Sequence, residues 1–135
     1  MQVFIACPKN MPLNEVNDYM DNIRQFFHSK EKQFVNLVDS STEFTKSFPQ
    51  VGGWDEWINH IAKGKNYTTQ KPLFGAIVCV DEEMGRASAQ IVERSLDIGK
   101  PVFFWDKNIS SMRKVVSVRT IDSTDWVNGW KLNLL

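Results

Sequence analysis

The chain has 135 residues, the length of one domain with room for a real core. Its 16 basic and 16 acidic side chains cancel, so no broad electrostatic attraction draws it to a nucleic-acid backbone or to an anionic membrane. No apolar run approaches the roughly 20 residues that span a bilayer, and the N-terminus opens into a strand-like segment rather than a basic region, apolar stretch and cleavage site, which makes a cytoplasmic address the default.

In chain order, Gln2 to Ala6 is a short apolar strand that stops at Cys7-Pro8, because proline has no amide to donate to a ladder. Asn14 is placed to cap a helix in which Val16, Tyr19, Met20, Ile23, Phe26 and Phe27 recur at steps of three and four, one apolar stripe on one face. Phe34 to Val38 reads as a second strand, closed by the turn-forming Asp39-Ser40-Ser41. From Thr42 to Pro72 the pattern is least regular, and part of it reads as a lid. Within it Pro49, Gly52-Gly53 and Gly64 bound a helix carrying Trp54, Trp57, Ile58 and Ile61.

Leu73 to Val80 is apolar on both faces, as a central parallel strand covered by helices is, and it ends at Asp81. A helix from about Glu83 to Ile98 follows, closed by Gly99 and Pro101, and Pro101 to Trp105 is the fourth strand. Lys114 to Val118 reads as a fifth strand, although the gap before it is tight for a parallel crossover, which takes about a dozen residues. Ser123 is placed to cap a terminal helix in which Trp126, Val127 and Trp130 pack onto the sheet.

The alternation predicts one α/β domain over residues 1–135: a doubly wound, flavodoxin- or Rossmann-like parallel sheet of about five strands with helices on both faces. Such sheets bind ligands beyond the carboxyl ends of their strands where strand order reverses, here Cys7-Pro8-Lys9 and Asp81-Glu82-Glu83. Cys7 and Cys79 read as reduced core thiols, with a disulfide between neighbouring strands left open. His28 and His60 are isolated, and no CxxC or Cys/His spacing calls for a metal. Neither GxGxxG nor GxxxxGK[ST] occurs, so no dinucleotide cofactor or Walker-type phosphate loop is implied.

The order of Phe4-Ile5-Ala6-Cys7-Pro8, an aspartate-ended strand at Val80-Asp81, Gly85 with Ser88 at a helix start, and Gly99-Lys100-Pro101-Val102 resembles the nucleoside 2-deoxyribosyltransferase superfamily. That superfamily includes deoxynucleoside monophosphate N-hydrolases and short phage and bacterial relatives. The resemblance spans most of the chain, and its GKPV turn and element order match best. It implies a small-molecule partner, a nucleoside or nucleotide, held by Ala6, Cys7, Pro8, Gly85, Ser88 and Gln90, with Asp81 in a catalytic role. It also implies cleavage or exchange of the base–deoxyribose bond by a glutamate nucleophile, since an anion traps an oxocarbenium-like centre. A homo-oligomer fits too, because related enzymes commonly assemble so that a neighbour completes the site.

Two positions depart from that pattern. Family spacing brackets Gln90 where the glutamate is expected, which leaves Glu93, one helical turn on, as the candidate nucleophile or as a solvated helix residue. Phe4 stands where the family's first strand has a tyrosine whose hydroxyl positions the nucleophile. These departures set a noncatalytic nucleotide-binding or protein-interaction module on the same fold against the enzyme reading. Asp81 serves as a site residue, a helix N-cap, or both. Arg86 and Ser88 are placed to approach a phosphate, opposed by Glu82 and Glu83. Trp54 and Trp57 either stack a base or belong to the core.

Overall fold

Alternating burial along the first strand explains why the sheet is covered on both sides. In Gln2–Ala6 (β1), Val3 and Ile5 point to one face and Phe4 and Ala6 to the other, and all four are buried. The computed structural model describes residues 1–135 as a mixed α/β protein. After β1 come α1 (Leu13–Ser29), β2 (Asn36–Asp39), α2 (Ser40–Val51), α3 (Trp54–Lys63), β3 (Ala76–Cys79) and β4 (Glu83–Met84). The chain continues with α4 (Arg86–Asp97), β5 (Val102–Asp106), β6 (Ser111–Thr120) and β7 (Trp130–Leu134). The strands form one sheet of seven, in the order β2-β1-β3-β5-β6-β7-β4. Contacts among β2, β1, β3 and β5 are parallel, whereas β5–β6, β6–β7 and β7–β4 are antiparallel.

Helices cover the two faces unequally. The α1 stripe of Val16, Tyr19, Ile23 and Phe27 packs with Val3, Ile5, Val78 and Trp105. On the opposite face, residues of α3 and α4, including Trp57, Ile61, Ala89 and Val92, enclose Phe4, Ile77, Cys79 and Phe104. Phe4 meets Trp57 and Phe74 edge to face, with ring centroids 6.3 and 5.4 Å away, the geometry that aromatic quadrupoles favour. A hydroxyl at position 4 would enter this apolar cluster. Cys7 belongs to the α1 side and Cys79 to the other, and both thiols are free. No helix is long and apolar enough to cross a membrane.

Several expectations are corrected. The sheet has seven strands rather than about five, and only its β2-β1-β3-β5 part is parallel. The expected fifth strand lies inside β6 and runs antiparallel to β5, as the short connection before it requires. α1 begins at Leu13 after Pro12, without a side-chain cap from Asn14. The segment after Asp39 is a helix rather than a turn and loop: Asp39 caps α2, accepting from the Thr42 amide at 3.1 Å and from its hydroxyl at 2.6 Å.

The expected helix from Glu83 starts only at Arg86, because Glu83 and Met84 pair with Lys131 and Trp130. No terminal helix forms. Asp122 accepts from the Thr124 amide, and Asp125 accepts from the amides of Val127 and Asn128. These side chains satisfy amides that a helix would otherwise use, and they turn the chain between β6 and β7.

Candidate ligand-binding cleft

The parallel strands end together, and a cleft of about 950 Å³ opens at that end, within the range of small-molecule sites. Its floor is Ala6 at the end of β1, with Cys7 and Pro8 after it. Ser40 ties this floor to α2: its hydroxyl accepts from the Cys7 amide at 3.1 Å and lies 3.3 Å from the Cys7 carbonyl, to which it donates. Asp81 and, from the start of α4, Gly85, Ser88 and Gln90 line the cleft, as do Phe44 of α2 and Trp54 and Trp57 of α3. Trp126, Val127 and Asn128, from the β6–β7 connection, also line it.

The cleft therefore gathers Ala6, Cys7, Pro8, Asp81, Gly85, Ser88 and Gln90, and Lys9 and Arg86 with them. Glu93 stands apart. It is exposed and is not among the lining residues, which corrects the expectation that a shifted alignment brings its carboxylate to the site. The side chain that shares the Gln90 rim is Arg94, four residues on. The Arg94 guanidinium donates to Asp55 Oδ1 at 2.7 Å, to Asn59 Oδ1 at 2.9 Å and to Gln90 Oε1 at 3.4 Å. This network turns the carbonyl oxygen of Gln90 toward a cation and leaves its amide NH2 as a donor. A neutral amide in this place has no carboxylate with which to attack.

Asp81 is exposed as a residue, yet partial desolvation of its carboxyl pushes its ionisation above the ordinary value. The charge of Glu15, and after it Glu83, acts in the same direction, against Lys107. Asp81 also borders a smaller cavity of about 520 Å³ that includes Tyr19, Asp106 and Lys107, so it sits on the wall between the two. It is not the cap of α4; Gly85 holds that position and offers no side chain. The helix begins there without a side-chain cap, and its first amide, that of Arg86, donates instead to the Trp126 carbonyl at 3.3 Å.

Burial, with the charges of Asp39, Asp81 and Glu15, raises the Cys7 thiol to about 12. Burial, followed by Cys7 and Asp81, does the same for Cys79. Both thiols are protonated at neutral pH and poor nucleophiles. No group of three or more His, Cys, Asp or Glu side chains is arranged to hold a metal ion.

The two tryptophans of α3 divide between the alternatives. Trp57 is 3% exposed and belongs to the core, although one edge reaches the cleft, while Trp54 is 56% exposed at the rim. Sequence reasoning missed Ser40, Phe44, Arg94 and the Trp126–Asn128 wall. A signal for the last existed: Asn128-Gly129 is a turn dipeptide ahead of the alternating Trp130–Leu134.

Fold and cleft together define a mixed α/β protein with a concave, partly apolar site at the ends of its parallel strands. No protein-family model, curated protein or solved structure matches the chain.

Proposed function

We propose that this protein is a binding module for a nucleoside or nucleotide, built on a deoxyribosyltransferase-like scaffold and lacking that family's nucleophilic step. The observation that carries the reading is the pairing of Gln90 and Glu93. The cleft presents the Gln90 amide, held by Arg94, and the nearest following glutamate lies outside it. The absence of a tyrosine hydroxyl at Phe4 supports the same reading, since that ring is fully buried.

In this reading the ligand lies across Ala6, Cys7 and Pro8. Asp81 accepts hydrogen bonds from it, Gln90 donates, and Gly85 and Ser88 at the start of α4 receive its polar or anionic end. The reading also takes β2-β1-β3-β5 as the parallel half of a doubly wound sheet, with the ligand beside the β1 and β3 ends where the strand order reverses. A cytoplasmic address belongs to the same proposal.

One observation favours an enzyme instead: Asp81 is a cleft carboxyl with a raised ionisation, the property of a general acid. Incubating the protein with deoxynucleosides and their monophosphates, and following free base by chromatography alongside thermal stabilisation, separates the readings. Stabilisation without base release supports the binding module. Base release that is lost in Asp81→Asn and retained in Glu93→Ala establishes catalysis through Asp81. Release lost in Glu93→Ala refutes the geometric argument altogether.

A further inference from the structure

Two indoles line the cleft from different elements, and each is covered on one face. Trp54, at the start of α3, lies against the Phe44 ring with centroids 5.1 Å apart and planes 27° from parallel. Trp126, in the β6–β7 connection, carries the Arg86 guanidinium 4.8 Å from its ring centroid. The two indoles remain 56% and 61% exposed. Covering one face of a large aromatic ring restricts its rotation, and the open face keeps an apolar, polarisable surface in the cleft.

The backbone of Trp126 is fixed as well. Its carbonyl accepts from the Arg86 amide at 3.3 Å, and Asp125 Oδ1 holds the following turn through the amides of Val127 and Asn128 at 2.9 and 3.1 Å. Gly85 permits this approach, because a Cβ there would sit 2.8 Å from the Trp126 carbonyl oxygen. The exposed indole is thus anchored to the same helix start that carries Gly85, Arg86 and Ser88.

We propose that Trp126, backed by Arg86, is the ring-stacking platform of the cleft and sets its preference for large planar bases, with Trp54 on Phe44 as a second platform. The inference rests on the reading of the cleft as a nucleoside or nucleotide site and names the residue that selects the base. A purine offers a larger π-face than a pyrimidine, so the platform favours purines. Removing an aromatic that stacks one base costs on the order of ten- to a hundred-fold in affinity.

The test titrates wild type and Trp126→Ala with dAMP, dCMP, free adenine and deoxyribose 5-phosphate, by tryptophan fluorescence and calorimetry. Wild type binds dAMP more tightly than dCMP. Trp126→Ala loses about tenfold or more for dAMP and adenine, narrows the purine–pyrimidine gap, and leaves deoxyribose 5-phosphate unchanged. Should Trp126→Ala fail to fold, Arg86→Met decides: it removes the backing and weakens adenine, which has no phosphate for an arginine to hold.

Binding of adenine and dAMP by Trp126→Ala within about twofold of wild type overturns the platform, as does the absence of binding by any compound that carries a base. If adenine binds through Trp126 while dAMP binds no better than adenine, the platform stands and the nucleotide reading of the cleft falls.

Discussion

Ser47→Ala tests whether the α2–α3 brace stabilises the cleft wall. The indole Nε1–H of Trp57 donates to Ser47 Oγ at 2.8 Å, and the Ser47 hydroxyl donates to the Glu43 carbonyl at 2.7 Å. Trp57 is 3% and Ser47 6% exposed, so water cannot replace the lost acceptor. Leaving a buried donor unpaired costs about 1–3 kcal/mol, and alanine's better helix propensity returns roughly 0.5 kcal/mol. The net loss is therefore about 0.5–2.5 kcal/mol. For a chain of 135 residues the entropy of unfolding near Tm is roughly 0.3 kcal/mol per degree, so Tm falls by about 2–9 °C.

Urea denaturation followed by circular dichroism measures the loss directly. Repeating it in a Trp57→Phe background isolates the hydrogen bond, because Ser47→Ala then has no indole donor to strand and costs less than about 0.5 kcal/mol. Equal costs in the two backgrounds, or a single variant within about 0.3 kcal/mol of wild type, would refute the reasoning.

Lys100 is buried, its Nζ donates to the Ile61 carbonyl at 3.3 Å, and burial holds its ionisation down to about 8 from 10.5. Between those values the unfolded chain binds a proton that the folded protein does not, so this group makes stability rise with pH. The stability of wild type relative to Lys100→Met increases by about 1 kcal/mol per pH unit across that window, and a flat difference contradicts it. The thiols act in the opposite sense: Cys7 and Cys79 stay protonated to about 12 when folded but ionise from 9.0 when unfolded. Their contribution, present below pH 9.0, is lost as pH rises toward 12.

Neither thiol reacts quickly with iodoacetamide at pH 8 until denaturant is added; modification of Cys7 within minutes in the native protein contradicts the burial argument. Gly85→Ala places a Cβ 2.8 Å from the Trp126 carbonyl oxygen, so it destabilises by about 1–3 kcal/mol and speeds amide exchange at residues 126–129. Unchanged exchange there means that the β6–β7 connection is not seated on α4.

Local chemistry alone makes β1, α1, β3, α4 and β5 legible. The strands are short continuous apolar runs and the helices carry apolar residues at steps of three and four, while Pro8, Gly99 and Pro101 mark stops that need no distant partner. The two strand ends at Cys7 and Asp81 follow from the alternation of strand and helix, which is why the floor and one wall of the cleft were readable. Elements whose form depends on distant or competing contacts were not. α2 has Pro49 inside it and reads as a loop until Trp57 is placed on Ser47. The segment around Trp126 has helical spacing, but its amides are taken by Asp122 and Asp125 and its end pairs with β6.

The fate of Glu93 and Gln90 likewise follows from the rotation of α4 against the sheet and from Arg94 reaching Asp55, 39 residues away. Periodicity records which face of an element is apolar. Which polar side chains share a cleft is decided only when the elements dock, because packing of the apolar faces fixes where the remaining side chains point.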